Sequence, residues 1–263
     1  MKRLIYIVFV SATLLVMSSC KGWLTVDSDD RVLENKLFRT TSGFYTALNG
    51  IYVDLVNTNL YSGTLAPTTF DVMAQYYNTE SDNHSFGSLA LYQSEAKRVA
   101  VSETWTRAYF LIMNANLILE YCDSRRDVLS DKDYDIIKGE CLALRALLHF
   151  ELFRIFGPIY GTAPAAAAIP YVDVSEPKVR PVLKASEVAG RIIGDLKEAM
   201  QLLEQSDPVI TLGKNETDDG GRNLYGYRNL RLNYFAVKAL AARVNMYLGY
   251  DYRKEARRFA EEV

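Results

Sequence analysis

Two long amphipathic stretches, separated by a short polar turn, constrain the fold of this chain more than any other feature. Over residues 95–121, and again over residues 131–156, apolar side chains recur every three to four residues, which is the period of an α-helix. Two long helices joined by a turn as short as residues 123–130 pack against each other as an antiparallel hairpin. Ser130 is expected to cap the second helix.

The rest of the chain repeats this pattern on a smaller scale. Shorter helices are predicted at residues 42–55, 186–204 and 229–248, and from Asp251 onward. Irregular segments rich in Gly, Pro, Asn and Ser separate them, at residues 57–94, 159–184 and 206–227. We therefore predict a mostly all-α fold of tetratricopeptide-like helical hairpins with long irregular loops.

The first twenty residues have the pattern of an export signal that ends in a cysteine. Lys2 and Arg3 precede an apolar run from Leu4 to Met17, which is shorter than the roughly 20 residues that a membrane-spanning helix needs. Small residues then precede Cys20, as in a bacterial lipobox, so we predict lipidation of Cys20. An ordinary signal peptide with a chance cysteine is the alternative.

Charge and motif content exclude several function classes. Thirty Lys and Arg against 32 Asp and Glu give a net charge of −2, which lacks the basic bias of a nucleic-acid-binding protein. None of the usual spacings of a zinc, nucleotide or serine-hydrolase site is present. A calcium loop that began at Asp27 would need Gly at position 32 and Glu at position 38, where the chain has Val32 and Phe38. We expect no metal and no cofactor.

Five chemically active residues fall on the predicted long helices, where packing accounts for them. Glu140 and Arg145 are expected to pair across or between helices, and His149 to pack within the helix layer. Cys122 ends the first long helix, whereas Cys141 lies roughly 15 Å along the second helix from the turn, at 1.5 Å per residue. We therefore predict two buried thiols and no disulfide between them.

Five motifs follow one another along the predicted helices. They are Ala47-Leu48-Asn49-Gly50-Ile51-Tyr52, Trp105-x3-Tyr109-x2-Ile112-x3-Asn116, Gly139-Glu140-Cys141-x-Ala143-Leu144-Arg145 continuing to Phe156-Gly157-Pro158, Ile192-x2-Asp195-Leu196-x2-Ala199, and Ala236-x2-Ala239-Leu240-x-Ala242-Arg243. In this order, and after a lipobox, they resemble the N-terminal part of SusD/RagB family proteins. The resemblance covers essentially all 263 residues.

The resemblance implies an outer-membrane lipoprotein that is lipid-anchored and faces the cell exterior. Such a protein binds an oligosaccharide or peptide nutrient, passes it to a SusC-like TonB-dependent transporter, and is not an enzyme. The expected organisation is a signal peptide at 1–19, a lipidated tether at 20–40 and a SusD-like helical domain at 41–263. Residues 254–263 carry no helix-ending signal, so we expect this domain to be truncated at its C-terminus.

In the SusD/RagB family, the loop before the Trp-bearing helix contributes to the ligand site. Residues 71–92 of this chain combine aromatic rings, which stack on the apolar faces of sugars, with polar groups that bond sugar hydroxyls. The candidate ligand-binding residues are Tyr76, Tyr77, Asn78, Asn83, His84 and Phe86. The alternative is that the tyrosines pack the loop onto the helices. Trp105, in helical register with Tyr109, is expected to pack in the core.

Two other function classes stay open. A helical-repeat adaptor of an outer-membrane complex, which binds no ligand, would need only the helical hairpins and the anchor. A lipid-anchored glycosidase would need a pair of carboxylates, and no spacing in a sequence defines such a pair.

Overall fold

Helices dominate the computed structural model, which describes residues 35–66, 68–79, 84–92, 94–214 and 225–263. The helices are α1 (Thr41–Leu55), α2 (Thr69–Met73), α3 (Gly87–Ala90), α4 (Ser94–Ser124), α5 (Asp131–Phe156), α6 (Ala185–Ser206), α7 (Val209–Leu212), α8 (Tyr234–Leu248) and α9 (Arg253–Glu261). The described residues from Phe38 onward form one compact unit. The predicted signal peptide and the lipidation site Cys20 lie outside the described residues.

The predicted long hairpin is confirmed, and it forms the centre of the fold. Helices α4 and α5 pack together, and α5 has the predicted bounds. The Ser130 hydroxyl oxygen accepts a hydrogen bond from the backbone N–H of Asp133 at 3.1 Å, as expected of an N-cap. Helix α5 buries residues around most of its circumference, because neighbouring helices cover it on several sides.

Successive helices extend the stack beyond this hairpin. Helix α6 packs against α5, α8 packs against α6, and α9 packs against α8. Gly139 permits the close approach of α5 and α6, since a Cβ atom there would lie 2.8 Å from Cγ of Leu203. Ile192, Leu196 and Leu203 are buried, as the helical spacing predicts. The chain is therefore mostly α-helical, with tetratricopeptide-like hairpins.

All three segments that we expected to be irregular contain short elements. Residues 57–94 include α2 and α3, and residues 206–227 include α7. Residues 159–184 include an antiparallel pair of strands, β1 (Ala167–Pro170) and β2 (Val182–Lys184). Each of these elements has three to five residues. Because one turn of helix or one short strand shows no measurable periodicity, the sequence pattern could not indicate them.

The start of α8 differs from the prediction, which placed it at residue 229. Helix α8 begins at Tyr234, where the Asn233 side chain accepts a hydrogen bond from the N–H of Ala236 at 2.9 Å. A 3₁₀ turn over Arg228–Leu230 precedes it. This turn carries the Arg228 side chain into the protein interior, where it is fully buried.

Candidate functional site

The segment Ala74–Tyr92, here called the aromatic segment, exposes its rings to solvent. Tyr76 is 77% exposed and Tyr77 is 48% exposed, and Phe86 and Tyr92 are also solvent-accessible. The alternative that the tyrosines pack this loop onto the helices is therefore wrong for Tyr76 and Tyr77. Because exposed aromatic rings cost free energy in water, several of them on one surface segment make it a candidate binding surface.

Both ends of the aromatic segment are held by hydrogen bonds from side chains. Gln75, directly after the C-cap of α2, donates from Nε2 to the carbonyl oxygen of Ala90 at 3.0 Å. Tyr92, directly after the C-cap of α3, donates its hydroxyl to the carbonyl oxygen of Met73 at 2.5 Å. Both residues have left-handed backbone, with φ of 63° and 55°. The two ends of the segment are thus joined to each other by side-chain hydrogen bonds.

The structure brings His84 and Phe86 together within this segment. Nδ1 of His84 accepts a hydrogen bond from the backbone N–H of Phe86 at 3.2 Å, and the two rings lie 6.0 Å apart. A neutral His84 therefore carries its proton on Nε2, where it can donate to a ligand. Asn78 is exposed on the same segment, whereas the candidate Asn83 lies outside the described residues.

Glu140 has the structural role that the sequence predicts. Its carboxylate is fully buried and pairs with Arg228 and with Nε of Arg231, at 2.9 Å for Arg231. The Tyr52 hydroxyl donates to it at 2.5 Å. Burial by itself would raise the pKa of Glu140, but the two guanidinium groups outweigh burial and hold that pKa below its usual range. A buried carboxyl group with a lowered pKa is poorly suited to act as a general acid near neutral pH.

Arg145 and His149 also have structural roles, which confirms the prediction for both. Arg145 forms a two-bond ion pair with Asp195, at 2.6 and 2.7 Å. The ring of His149 stacks on Tyr171 at 3.9 Å, and its Nε2 accepts from the N–H of Val172 at 3.0 Å. Its Nδ1 therefore donates to the carbonyl oxygen of Arg145. Burial lowers the pKa of His149 to about 3.

Sequence reasoning missed two features that surround these helices. Arg228 completes a buried ion cluster with Glu140 and Asp207, and nothing in its Gly- and Asn-rich surroundings signals this role. Trp105, expected in the core, is only half-buried. It packs edge-on against Phe156 at 4.9 Å and opens onto a surface groove.

The cysteines and the residue types that ligate metals form no further centre in the described part of the chain. Cys122 and Cys141 are buried and free, as predicted. Among the described residues, no group of three or more His, Cys, Asp or Glu is placed to hold a metal ion. The described helices also include none whose length and apolar content would allow it to cross a membrane.

Comparison with known proteins assigns the family. The model of a SusD-like family, described as starch-binding and associating with the outer membrane, matches residues 23–212. The chain belongs to this SusD-like family. The SusD-like protein P25 of Formosa agariphila is 27% identical over 153 residues, which are 54% of this chain and 28% of the relative.

Solved structures of SusD-like proteins share the fold. A SusD superfamily protein from Bacteroides thetaiotaomicron matches with a TM-score of 0.64 at 20% identity, over 85% of this chain and 46% of its own. A SusD-like carbohydrate binding protein from Bacteroides vulgatus matches with a TM-score of 0.65 at 19% identity, over 85% of this chain and 44% of its own. This SusD-like chain thus spans less than half the length of each of these relatives.

Proposed function

We propose that this chain is a cell-surface lipoprotein that binds a glycan through the aromatic segment. It is anchored in the outer membrane by a lipid on Cys20, faces the cell exterior, and passes its ligand to a SusC-type TonB-dependent transporter. A peptide is the alternative ligand. The proposed organisation is a signal peptide at 1–19, a lipidated tether at 20–40 and a SusD-like helical domain at 41–263.

The observation that carries this proposal is the exposure of Tyr76 and Tyr77 on a loop whose two ends are fixed. Sugar rings present apolar C–H faces, so burying a ring against an exposed tyrosine removes apolar surface from water on both partners. A loop already held in place loses little conformational freedom when the ligand binds. The family description, which names starch, supports a glycan as the ligand.

Polar groups on the aromatic segment can orient a sugar ring, which stacking alone does not do. The Nε2 proton of His84 and the amide of Asn78 can bond sugar hydroxyls at the edge of a stacked ring. Both side chains are exposed to solvent. These residues therefore favour a hydroxyl-rich ligand.

We further propose that the chain is not an enzyme. Glu140 and Asp195, the two carboxylates that the helix motifs specify, each form an ion pair with a guanidinium group. Glycoside hydrolysis needs one carboxyl group with a raised pKa beside an ionised one, both facing the same open site. These two paired carboxylates do not offer that arrangement.

The proposal is tested by replacing Tyr76, Tyr77 and His84 with alanine together. We expect the affinity of the purified protein for its glycan to fall by about tenfold or more, because two stacking surfaces worth on the order of 1 kcal/mol each are lost. Affinity electrophoresis in soluble starch and in other polysaccharides measures this effect. The matched control is Tyr250→Ala, which removes a ring that is 79% exposed outside the aromatic segment.

Uptake by cells separates the proposal from its rival. If the triple variant folds, reaches the outer membrane and supports glycan uptake as well as the unaltered protein does, the adaptor that binds no ligand is the better assignment. Release of new reducing ends from a polysaccharide by the purified protein would instead identify a glycosidase.

A further inference from the structure

A second concave surface lies between α4 and the connection from β1 to β2. Trp105, Tyr109 and Met113 line one wall, at a spacing of four residues along α4. Pro170, Val172 and residues 176–180 line the opposite wall. The groove has a volume of 300 Å³, at the lower end of the roughly 300–1,000 Å³ typical of ligand pockets.

Hydrogen bonds hold the two walls of this groove in place. The Tyr109 hydroxyl donates to the carbonyl oxygen of Pro170 at 2.7 Å and so joins the two walls. The Asn116 amide donates to the carbonyl oxygens of Val172 and Val174, at 3.0 and 3.1 Å. Glu120 accepts from the N–H of Ser175 at 2.7 Å. The wall opposite α4 is therefore positioned by α4 itself.

Arg180 gives this groove an uncompensated positive charge. Its Nε is buried without a hydrogen-bond partner, and none of the described carboxylates forms an ion pair with it. By contrast, Lys178 on the same wall pairs with Glu176 at 2.6 Å. An arginine that lines a groove and has no ion-pair partner is available to bind an anionic group of a ligand there.

We propose that the groove beside Trp105 binds a sugar ring that carries a carboxylate, a uronate residue of an acidic glycan. The guanidinium of Arg180 holds the carboxylate, and the apolar wall of Trp105 and Tyr109 meets the C–H face of the ring. Arginine suits this role because its planar fork matches the two oxygens of a carboxylate. The volume accommodates a small cyclic unit, and the single unpaired cation matches one acidic group.

This site is separate from the aromatic segment, and the proposal does not depend on what that segment binds. The chain has two tryptophans, Trp23 and Trp105, and none in the aromatic segment. In a Trp23→Phe background, Trp105 is the sole tryptophan emitter. Because Trp105 lines the groove, its fluorescence responds to a ligand bound there.

The experiment titrates the Trp23→Phe protein with tetragalacturonate and follows Trp105 emission. We expect a saturable change, and we expect Arg180→Gln to weaken binding by about tenfold, the loss for one charge-assisted hydrogen-bonded contact. Lys178→Gln, which removes the paired cation on the same wall, is the matched control and should weaken binding less than about threefold. The methyl ester of the same oligomer, which lacks the charge, should bind the unaltered protein and Arg180→Gln equally weakly.

Three results would overturn the proposal. The first is no change in Trp105 emission up to about 10 mM ligand, above the millimolar range of weak specific sites. The second is a change that Arg180→Gln leaves intact. The third is an Arg180-dependent response to a short peptide with a free C-terminal carboxylate and none to the uronate, which would reassign the groove to peptides. Loss of starch binding on replacing Tyr76, Tyr77 and His84, with the Trp105 response preserved, would separate the two sites.

Discussion

Gln75 and Tyr92 form a reciprocal pair of hydrogen bonds between the ends of helices α2 and α3. Gln75, after α2, donates its side chain to the last residue of α3, and Tyr92, after α3, donates its hydroxyl to the last residue of α2. Each adopts a left-handed backbone that costs on the order of 1 kcal/mol in a non-glycine residue. The two hydrogen bonds therefore hold both ends of the aromatic segment in place at the cost of some backbone strain. A preorganised segment would bind a ligand with higher affinity.

Removing one bond of this pair should loosen the aromatic segment without unfolding the protein. Tyr92→Phe keeps the ring and deletes only the hydroxyl, so we expect a loss of about 1 kcal/mol in loop order. Amides of residues 76–79 should exchange with solvent about fivefold faster, and glycan affinity should fall by a similar factor. Hydrogen exchange and affinity electrophoresis measure the two effects. Tyr250→Phe is the control, and equal exchange in both variants would contradict the role assigned to Tyr92.

The buried ion cluster around Glu140 should dominate stability among the charged residues. Glu140→Gln leaves Arg228 and Arg231 with fewer negative partners in a dry interior, and breaking a buried pair from one side typically costs about 3–5 kcal/mol. The urea concentration at the unfolding midpoint should fall accordingly, while the slope of the unfolding free energy against urea concentration stays unchanged. Glu255→Gln, which breaks an exposed pair with Arg258, should leave the midpoint where it is. Equal midpoints for the two variants would show that the cluster is not stabilising.

The long helices were predictable from the sequence because each carries its apolar stripe over several turns. α5 begins and ends at the predicted residues, since Ser130 caps its start and Gly157-Pro158 follows its end. The motifs on those helices also predicted the family and, with it, the hairpin architecture. The family model and the fold confirm both.

What the sequence could not predict depends on contacts between distant residues. Arg228 meets Glu140 across 88 positions of the chain, and no local pattern marks an arginine in a loop as buried. The sequence also could not predict the exposure of Trp105. Its helical register is the same whether a neighbouring segment covers the ring or leaves a groove beside it. The candidates Tyr76 and Tyr77 rested on the composition of their loop and on the family resemblance, and their binding role stays a prediction.

The two buried thiols should be unreactive while the protein is folded. Burial raises the pKa of Cys122 to about 12, so that at pH 8 on the order of one molecule in 10,000 carries the thiolate. In a Cys20→Ser variant, which leaves Cys122 and Cys141, we expect a thiol reagent to label neither residue until urea unfolds the chain. Two equivalents should then react. Fast labelling of the folded variant would show that one thiol is accessible.

His149 should make the protein less stable at mildly acidic pH. Its pKa is about 3 in the folded protein, compared with about 6.5 in an unfolded chain. Between these values the unfolded state binds more protons, so stability is complete above pH 6.5 and is lost as the pH falls towards 3. From pH 7.5 to pH 5.0 the free energy of unfolding should drop by about 2 kcal/mol on account of this one group.

Two histidine variants make this pH effect measurable, because the chain has only His84 and His149. His84→Gln removes the exposed imidazole and should keep the full loss of stability between pH 7.5 and pH 5.0. His149→Gln should start from a lower stability, because glutamine cannot both accept from Val172 and donate to Arg145 with the same geometry, but it should lack the histidine-dependent loss. Urea titrations at each pH give the free energies. Parallel curves for the two variants would show that the buried imidazole does not control acid stability.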